Sequence, residues 1–132
     1  RYGGDPTKEA IQEFIAFRDS VNLPMYMGEI GHNTSEWQSS FCKVMEENNI
    51  GWTFWPYKKK DDSCIMGIQM PDNWNHIVAF SESPRGSYAE IRKARPDQQM
   101  VRKAMNDFIQ NCKKENCIPQ KEYIHSLGFS FQ

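Results

Sequence analysis

"PMYMGEIG", residues 24–31, is a short apolar run that stops at a carboxylate, Glu29, held between Gly28 and Gly31. Its Met and Tyr residues, bounded by Pro24 and Gly28, predict a turn followed by a short buried strand. An isolated Glu in such a place is by default a charge that marks where the strand ends. The octapeptide alone gives Glu29 no chemistry, so its meaning rests on what flanks it.

On one side, Asp5-Pro6 followed by "TKEAIQEFIAFRDS" predicts a helix with Asp5 as N-cap and Pro6 in the first position. Ile11, Phe14, Ile15 and Arg18 follow the helical spacing, with one apolar side and one charged side. On the other side, "NTSEWQSSFCKVMEENN" predicts a helix capped by Asn33, with Glu36 completing a capping box. Trp37, Phe41, Val44 and Met45 share its inner face. "IGWTFW", residues 50–55, is β-favouring and apolar, and Pro56 ends it. Strand, helix and strand within about thirty residues make a βαβ unit, which demands a parallel pair and a right-handed crossover.

Residues 58–97 read as one long polar loop, with a single helical suggestion around "NWNHIVAF"; loops of that length are usually functional. "PDQQMVRKAMNDFIQNCKKEN" predicts an amphipathic helix with Val101, Ala104, Met105, Phe108, Ile109 and Cys112 on one face. The class is therefore α/β. Two parallel strands cannot cover both faces and both edges with three helices, so the pattern reads as the end of something larger.

The 132 residues are 39% hydrophobic and 13% aromatic, enough for a core and too much for disorder. Lys and Arg number 16 against 17 Asp and Glu, so no basic field draws the chain to nucleic acid or to an acidic membrane. There is no apolar run long enough to span a bilayer, and "RYGGDPTKEA" lacks the pattern of a signal peptide; an exported protein would carry its signal upstream of Arg1. Cys42, Cys64, Cys112 and Cys117 show no CxxC or zinc spacing, so no metal site is expected. Three disulfide pairings are possible, with Cys112 and Cys117, at a helix end, the pair best placed.

In α/β barrels catalytic groups sit at the C-terminal ends of the strands. Glu29 ends the first strand, while Trp52 and Trp55 lie on opposite faces of the second, Trp55 at the rim. A carboxylate and an indole on adjacent parallel strands suit a sugar ring: the carboxylate works at the anomeric carbon and the aromatic face stacks on C–H surface.

"LPMYMGEIG", a helix beginning "NTSEW", and "NNIGWTFWPYKK" together resemble the seventh strand, seventh helix and eighth strand of glycoside hydrolase family five, the cellulase family of (β/α)8 retaining glycosidases. The resemblance implies the C-terminal part of a TIM barrel, with its last two strands and flanking helices. Residues 1–57 would run from the sixth helix to the eighth strand, 58–97 would be a long βα loop, and 98–132 the final helix and tail. It implies that Glu29, in a Pro-x-x-x-Gly-Glu segment, is the nucleophile, and that Trp55, in a Gly-Trp-x-x-Trp strand, lines the subsite at the cleaved bond. "RYGGDPTKEA" is similar to the continuation of the family's His-x-Tyr motif, which makes Tyr2 the residue that hydrogen-bonds the nucleophile and keeps it ionised. The motif's His would precede Arg1.

The family's general acid/base lies on a fourth strand that has no counterpart here. A retaining glycosidase needs two carboxyl groups about 5–5.5 Å apart; Asp61, Asp62 and Asp72 lie in the expected loop, but no motif sets them opposite Glu29. Further candidates for substrate contact are Tyr57, Lys58, Trp74 and His32. Beside each stands a plainer role: a solvated Lys58, a loop hydrogen bond for His32, a lid anchor for Trp74. The "KKKDD" run, residues 58–62, reads as a solvated turn, and Asn33-Thr34-Ser35 matches the glycosylation pattern. His76 and His125 read as structural.

The expected function is thus that of a retaining endo-β-1,4-glycanase acting on β-glucan or related plant polysaccharide, with no metal or organic cofactor. Its partner would be the N-terminal barrel half or another copy of the chain. A polysaccharide too large to enter cells implies an extracellular or periplasmic enzyme. The alternative is a noncatalytic segment that binds sugar or only pairs with another barrel half, and the choice of glycan stays open.

Overall fold

A computed structural model describes residues 2–32 and 34–130, which divide into two compact units: 2–32 and 34–67 with 119–130, and 68–118. In the first unit a 3₁₀ turn, Glu9–Ile11, leads into α1 (Gln12–Val21). The helix begins later than Asp5-Pro6 suggested. The carbonyl of Asp5 is engaged by the Thr7 N–H and the Tyr2 hydroxyl, and it is the Thr7 hydroxyl that accepts from the Ala10 N–H at 3.2 Å.

Strands β1 (Tyr26–Met27) and β2 (Gly51–Trp52) pair in parallel, Tyr26 opposite Gly51 and Met27 opposite Trp52. Helix α2 (Ser35–Glu47) lies in the crossover that joins them. Asn33, the expected cap, lies outside the described residues; the Thr34 side chain accepts from the Trp37 N–H. A parallel bridge between Tyr2 and Ile30 adds the N-terminal segment beside the end of β1. These strands do not close a barrel by themselves.

The core of this unit is Ile11 and Ile15 from the first helical segment, Phe41 and Met45 from α2, and Ile30 and Ile50 from the strand flanks. Phe41, fully buried, stacks on Trp37 (centroids 4.8 Å, planes 9° apart) and on Tyr2 (5.6 Å, 23°). Arg18 of α1 donates to the Asn48 carbonyl at the end of α2, joining the two helices on the same side.

Residues 58–97 are not one loop. They hold β3 (Lys58–Lys59) and β4 (Met66–Gly67), paired in parallel, and the helices α3 (Trp74–Glu82) and α4 (Tyr88–Ala94). The polar run between β3 and β4 is an ordered turn: the Asp61 carboxylate accepts from the Ser63 N–H at 3.0 Å and meets the Lys59 ammonium at 3.1 Å. A capping box, in which Ser87 and Glu90 satisfy each other's backbone N–H, starts α4.

The second unit comprises α3, α4 and α5 (Gln98–Asn111), the last capped by Asp97. Trp74 stacks on Phe108 at 4.7 Å, tying α3 to α5, and the Asn111 amide donates to the Gln69 carbonyl. Of the face expected on α5, Ala104 is buried, while Ile109 remains 60% exposed. The chain re-enters the first unit at β5 (Ile118–Pro119), next to which the Gln120 N–H donates to the Ile65 carbonyl. Helix α6 (Lys121–Ser126) packs on α2 and ends at Gly128, whose φ of +82° is the left-handed conformation that suits a helix stop.

No disulfide joins the four cysteines, so the Cys112–Cys117 pairing is not made; the Cys117 thiol donates instead to the carbonyls of Lys113 and Asn111. Burial, with the Glu46 charge beside it, pushes the Cys42 thiol up to about 12.

Two outcomes follow from this packing. Phe41→Ala should destabilise the chain by about 3–5 kcal/mol, read as a lower urea midpoint, because it empties a site with aromatic rings on two sides. In the folded protein at pH 8, Cys42 should resist iodoacetamide while the partly exposed Cys112 reacts, since only about one Cys42 in ten thousand is thiolate at that pH. Mass mapping of the alkylated peptides before and after urea checks this, and early modification of Cys42 would contradict the buried site.

Candidate functional site

The first unit brings its chemistry-bearing residues to the C-terminal ends of β1 and β2. Beyond Met27, which packs against the core, the chain runs through Gly28 and Glu29 to Ile30, which is fully buried. Three steps separate Met27 from Ile30, so strict two-residue alternation slips once between them. With Ile30 turned into the core, its neighbour Glu29 is left half-buried at the strand end. The slip falls between Glu29 and Ile30, since Met25, Met27 and Glu29 are half-buried while Tyr26 and Gly28 are exposed.

Glu29 is held by its main chain. Its carbonyl accepts from the Tyr2 N–H at 3.0 Å, and the Tyr2 carbonyl accepts from the Gly31 N–H at 2.8 Å. The Tyr2 hydroxyl donates to the Asp5 carbonyl at 2.8 Å, so its one proton points there and not at the Glu29 carboxylate. Burial and the Asp5 charge push the Tyr2 phenol above its ordinary value, which keeps that proton in place. Tyr2 therefore flanks Glu29 through backbone pairing, not through its phenol.

His32 lies just beyond, in the left-handed region at φ +73°. Its Nε2 is 2.7 Å from the Gly3 carbonyl, and its ring packs on Trp37, whose indole N–H donates to the Gly4 carbonyl at 2.9 Å. His32 and Trp37 thus clamp the two glycines that follow Tyr2. A polar cleft of about 950 Å³ opens beside this clamp, with Gly3, His32, Glu36, Lys59, Asp62 and Tyr123 among its walls. Glu29 does not line it.

The two indoles part, Trp52 being the last residue of β2 and Trp55 lying three residues beyond it. Trp52 packs into the core, and Trp55 is 58% exposed. The Trp55 carbonyl accepts from the buried Tyr123 hydroxyl at 3.0 Å. Tyr57 is exposed too, and the Lys58 ammonium stands 5.9 Å from its ring centroid. Trp74 belongs to the second unit, where Phe108 covers one of its faces.

Asp61 is a poor stand-in for a general acid. Its hydrogen bonds to Ser63 and the Lys59 ammonium hold its carboxyl below the usual carboxylate range, whereas an acid catalyst must keep its proton at the working pH. Among the described residues no group of three or more His, Cys, Asp or Glu stands ready for a metal ion. Sequence reasoning passed over Tyr123 and Gln38, because their partners lie far away in the chain and leave no local signal. No protein-family model, no curated protein and no solved structure matches this chain.

Proposed function

We propose that this chain carries the nucleophile and the sugar platform of a retaining endo-β-1,4-glycanase of cellulase type, as the C-terminal part of a (β/α)8 barrel. One observation carries the reading: β1 and β2 are adjacent parallel strands with a helix between them, and shortly beyond the C-terminal end of each comes a residue fit for sugar chemistry, Glu29 after β1 and Trp55 after β2. Parallel strands joined in this way put such residues on the same side of the sheet, where α/β enzymes work.

In this reading the Glu29 carboxylate attacks the anomeric carbon as the glycosidic C–O bond breaks, and the departing oxygen takes a proton from a carboxylic acid on a companion segment. Water then attacks the glycosyl-enzyme, giving its proton to that same carboxylate, and frees Glu29 with the sugar's configuration retained. Trp55 stacks on the sugar at the bond, while Tyr57, Lys58 and His32 stand near enough in sequence to reach its hydroxyls. The companion is the N-terminal barrel half or a second copy of the chain. No cofactor enters the chemistry, and a polymeric substrate places the enzyme outside the cell. Among the described residues no helix is long and apolar enough to cross a membrane.

A leaving group that needs no proton isolates the step assigned to Glu29. Full-length protein treated with 2,4-dinitrophenyl 2-deoxy-2-fluoro-β-cellobioside should gain one fluorocellobiosyl group on the peptide containing Glu29. Glu29→Gln should abolish the label and lower turnover of β-glucan by at least about a thousandfold. Labelling at another carboxylate, or full turnover by the Gln variant, rejects the assignment; sugar binding without label or turnover supports the noncatalytic alternative.

A further inference from the structure

Gln38 is a polar side chain with no exposed surface, placed on the α2 face that otherwise carries Phe41, Cys42 and Met45. Burying an amide is costly unless both of its ends find partners. Here both do. The Ser126 hydroxyl is 2.9 Å from Gln38 Oε1 and 2.7 Å from the Tyr123 carbonyl, so its one proton is shared between them. The Gln38 amide lies beside the Tyr123 phenol, and that phenol donates to the Trp55 carbonyl at 3.0 Å. Ser126 thus ties Gln38 to Tyr123, and Tyr123 to Trp55, and all members of this polar group but Trp55 are buried.

The backbone explains why Trp55 needs this partner. The β2 ladder ends where the Thr53 N–H donates to the Met27 carbonyl, and Pro56 has no N–H, so Trp55, whose side chain is presented to solvent, stands where the chain has departed from the sheet. The Tyr123 hydroxyl takes the carbonyl at that departure point. Burial pushes the Tyr123 phenol up, which leaves it protonated and donating at any ordinary pH.

We propose that Tyr123, oriented by Gln38 and Ser126, is a positioning residue that fixes the Trp55 indole as a platform for a β-linked glucan. The inference rests on the glycanase reading for the role of Trp55 and adds residues from the distant α6 to it. A plain packing role would be served by an apolar residue at position 38, since a half-satisfied network is worse than none and a satisfied one holds a single geometry.

Cellopentaose binding to the full-length protein, measured by calorimetry for the parent, Tyr123→Phe, Trp55→Ala and the double variant, tests this. Tyr123→Phe should weaken binding about fivefold, and that loss should vanish in the Trp55→Ala background. Weakening by Trp55→Ala with none from Tyr123→Phe overturns the positioning role and leaves the platform standing. An equal loss in both backgrounds assigns Tyr123 to general structure and also overturns it. Unchanged binding by Trp55→Ala rejects the platform itself, and the inference with it. Should Tyr123→Phe fail to fold, Ser126→Ala in the same cycle answers the same question through the hydroxyl that orients Gln38, with a smaller loss expected.

Discussion

The stack of Tyr2, Phe41 and Trp37 is the contact on which the rest of the first unit depends. Phe41 has no exposed surface and meets an aromatic ring from the N-terminal segment and another from its own helix. Because α2 also contributes Met45 to the same core, the helix that connects the parallel strands is anchored along its inner face. That anchoring fixes the N-terminal segment as well. Tyr2 is brought beside the end of β1, where its main chain brackets Glu29. A strand of two regular residues, Tyr26–Met27, would hold its C-terminal end poorly alone; the aromatic stack supplies the rigidity that the short ladder lacks.

The parts of this arrangement that were legible in the sequence are those with a local period. The inner face of α2, read from Trp37, Phe41, Val44 and Met45, packs as expected against the core, because amphipathic spacing reports directly on which side of a helix is buried. The same rule passes over Gln38, which is no less buried. Its position is paid for by Ser126, 88 residues away, and no window of sequence contains both. The start of α1 failed for a different reason: Asp5 has the side chain of a cap, but its carbonyl is already the acceptor for Tyr2 and Thr7, and the helix waits for the Thr7 hydroxyl.

The segment 58–97 shows the limit of reading polarity as loop. Lys58 and Lys59 are weak strand formers, yet they pair with Met66 and Gly67 because the Asp61 turn brings the two stretches together. The α4 capping box was present in the sequence as Ser87 and Glu90, three residues apart. It went unread because the expected cue after a cap is an apolar run, and "YAEIRKA" has little of one. Helix α3 likewise contributes no fully buried residue, so its single strong contact, Trp74 on Phe108, carries information that periodicity does not.

At the candidate site the division is sharper. Which residues follow the strands could be read directly, since Glu29 and Trp55 come where the apolar runs stop. What holds them could not: Glu29 is bracketed by a backbone pairing with the chain's second residue, and Trp55 is tethered by a phenol from α6. This division also defines what the proposed chemistry asks of the chain. Retaining hydrolysis needs one carboxyl group that is ionised and one that is protonated at the same pH, which requires environments that push the two apart. Asp61 is biased toward the charged form, with its oxygens committed to Ser63 and Lys59. Nucleophile and platform therefore fall to this chain in the proposed enzyme, and the proton donor falls to a companion segment whose surroundings must do the opposite of what Lys59 does here: withhold positive charge and water so that a carboxylic acid stays neutral.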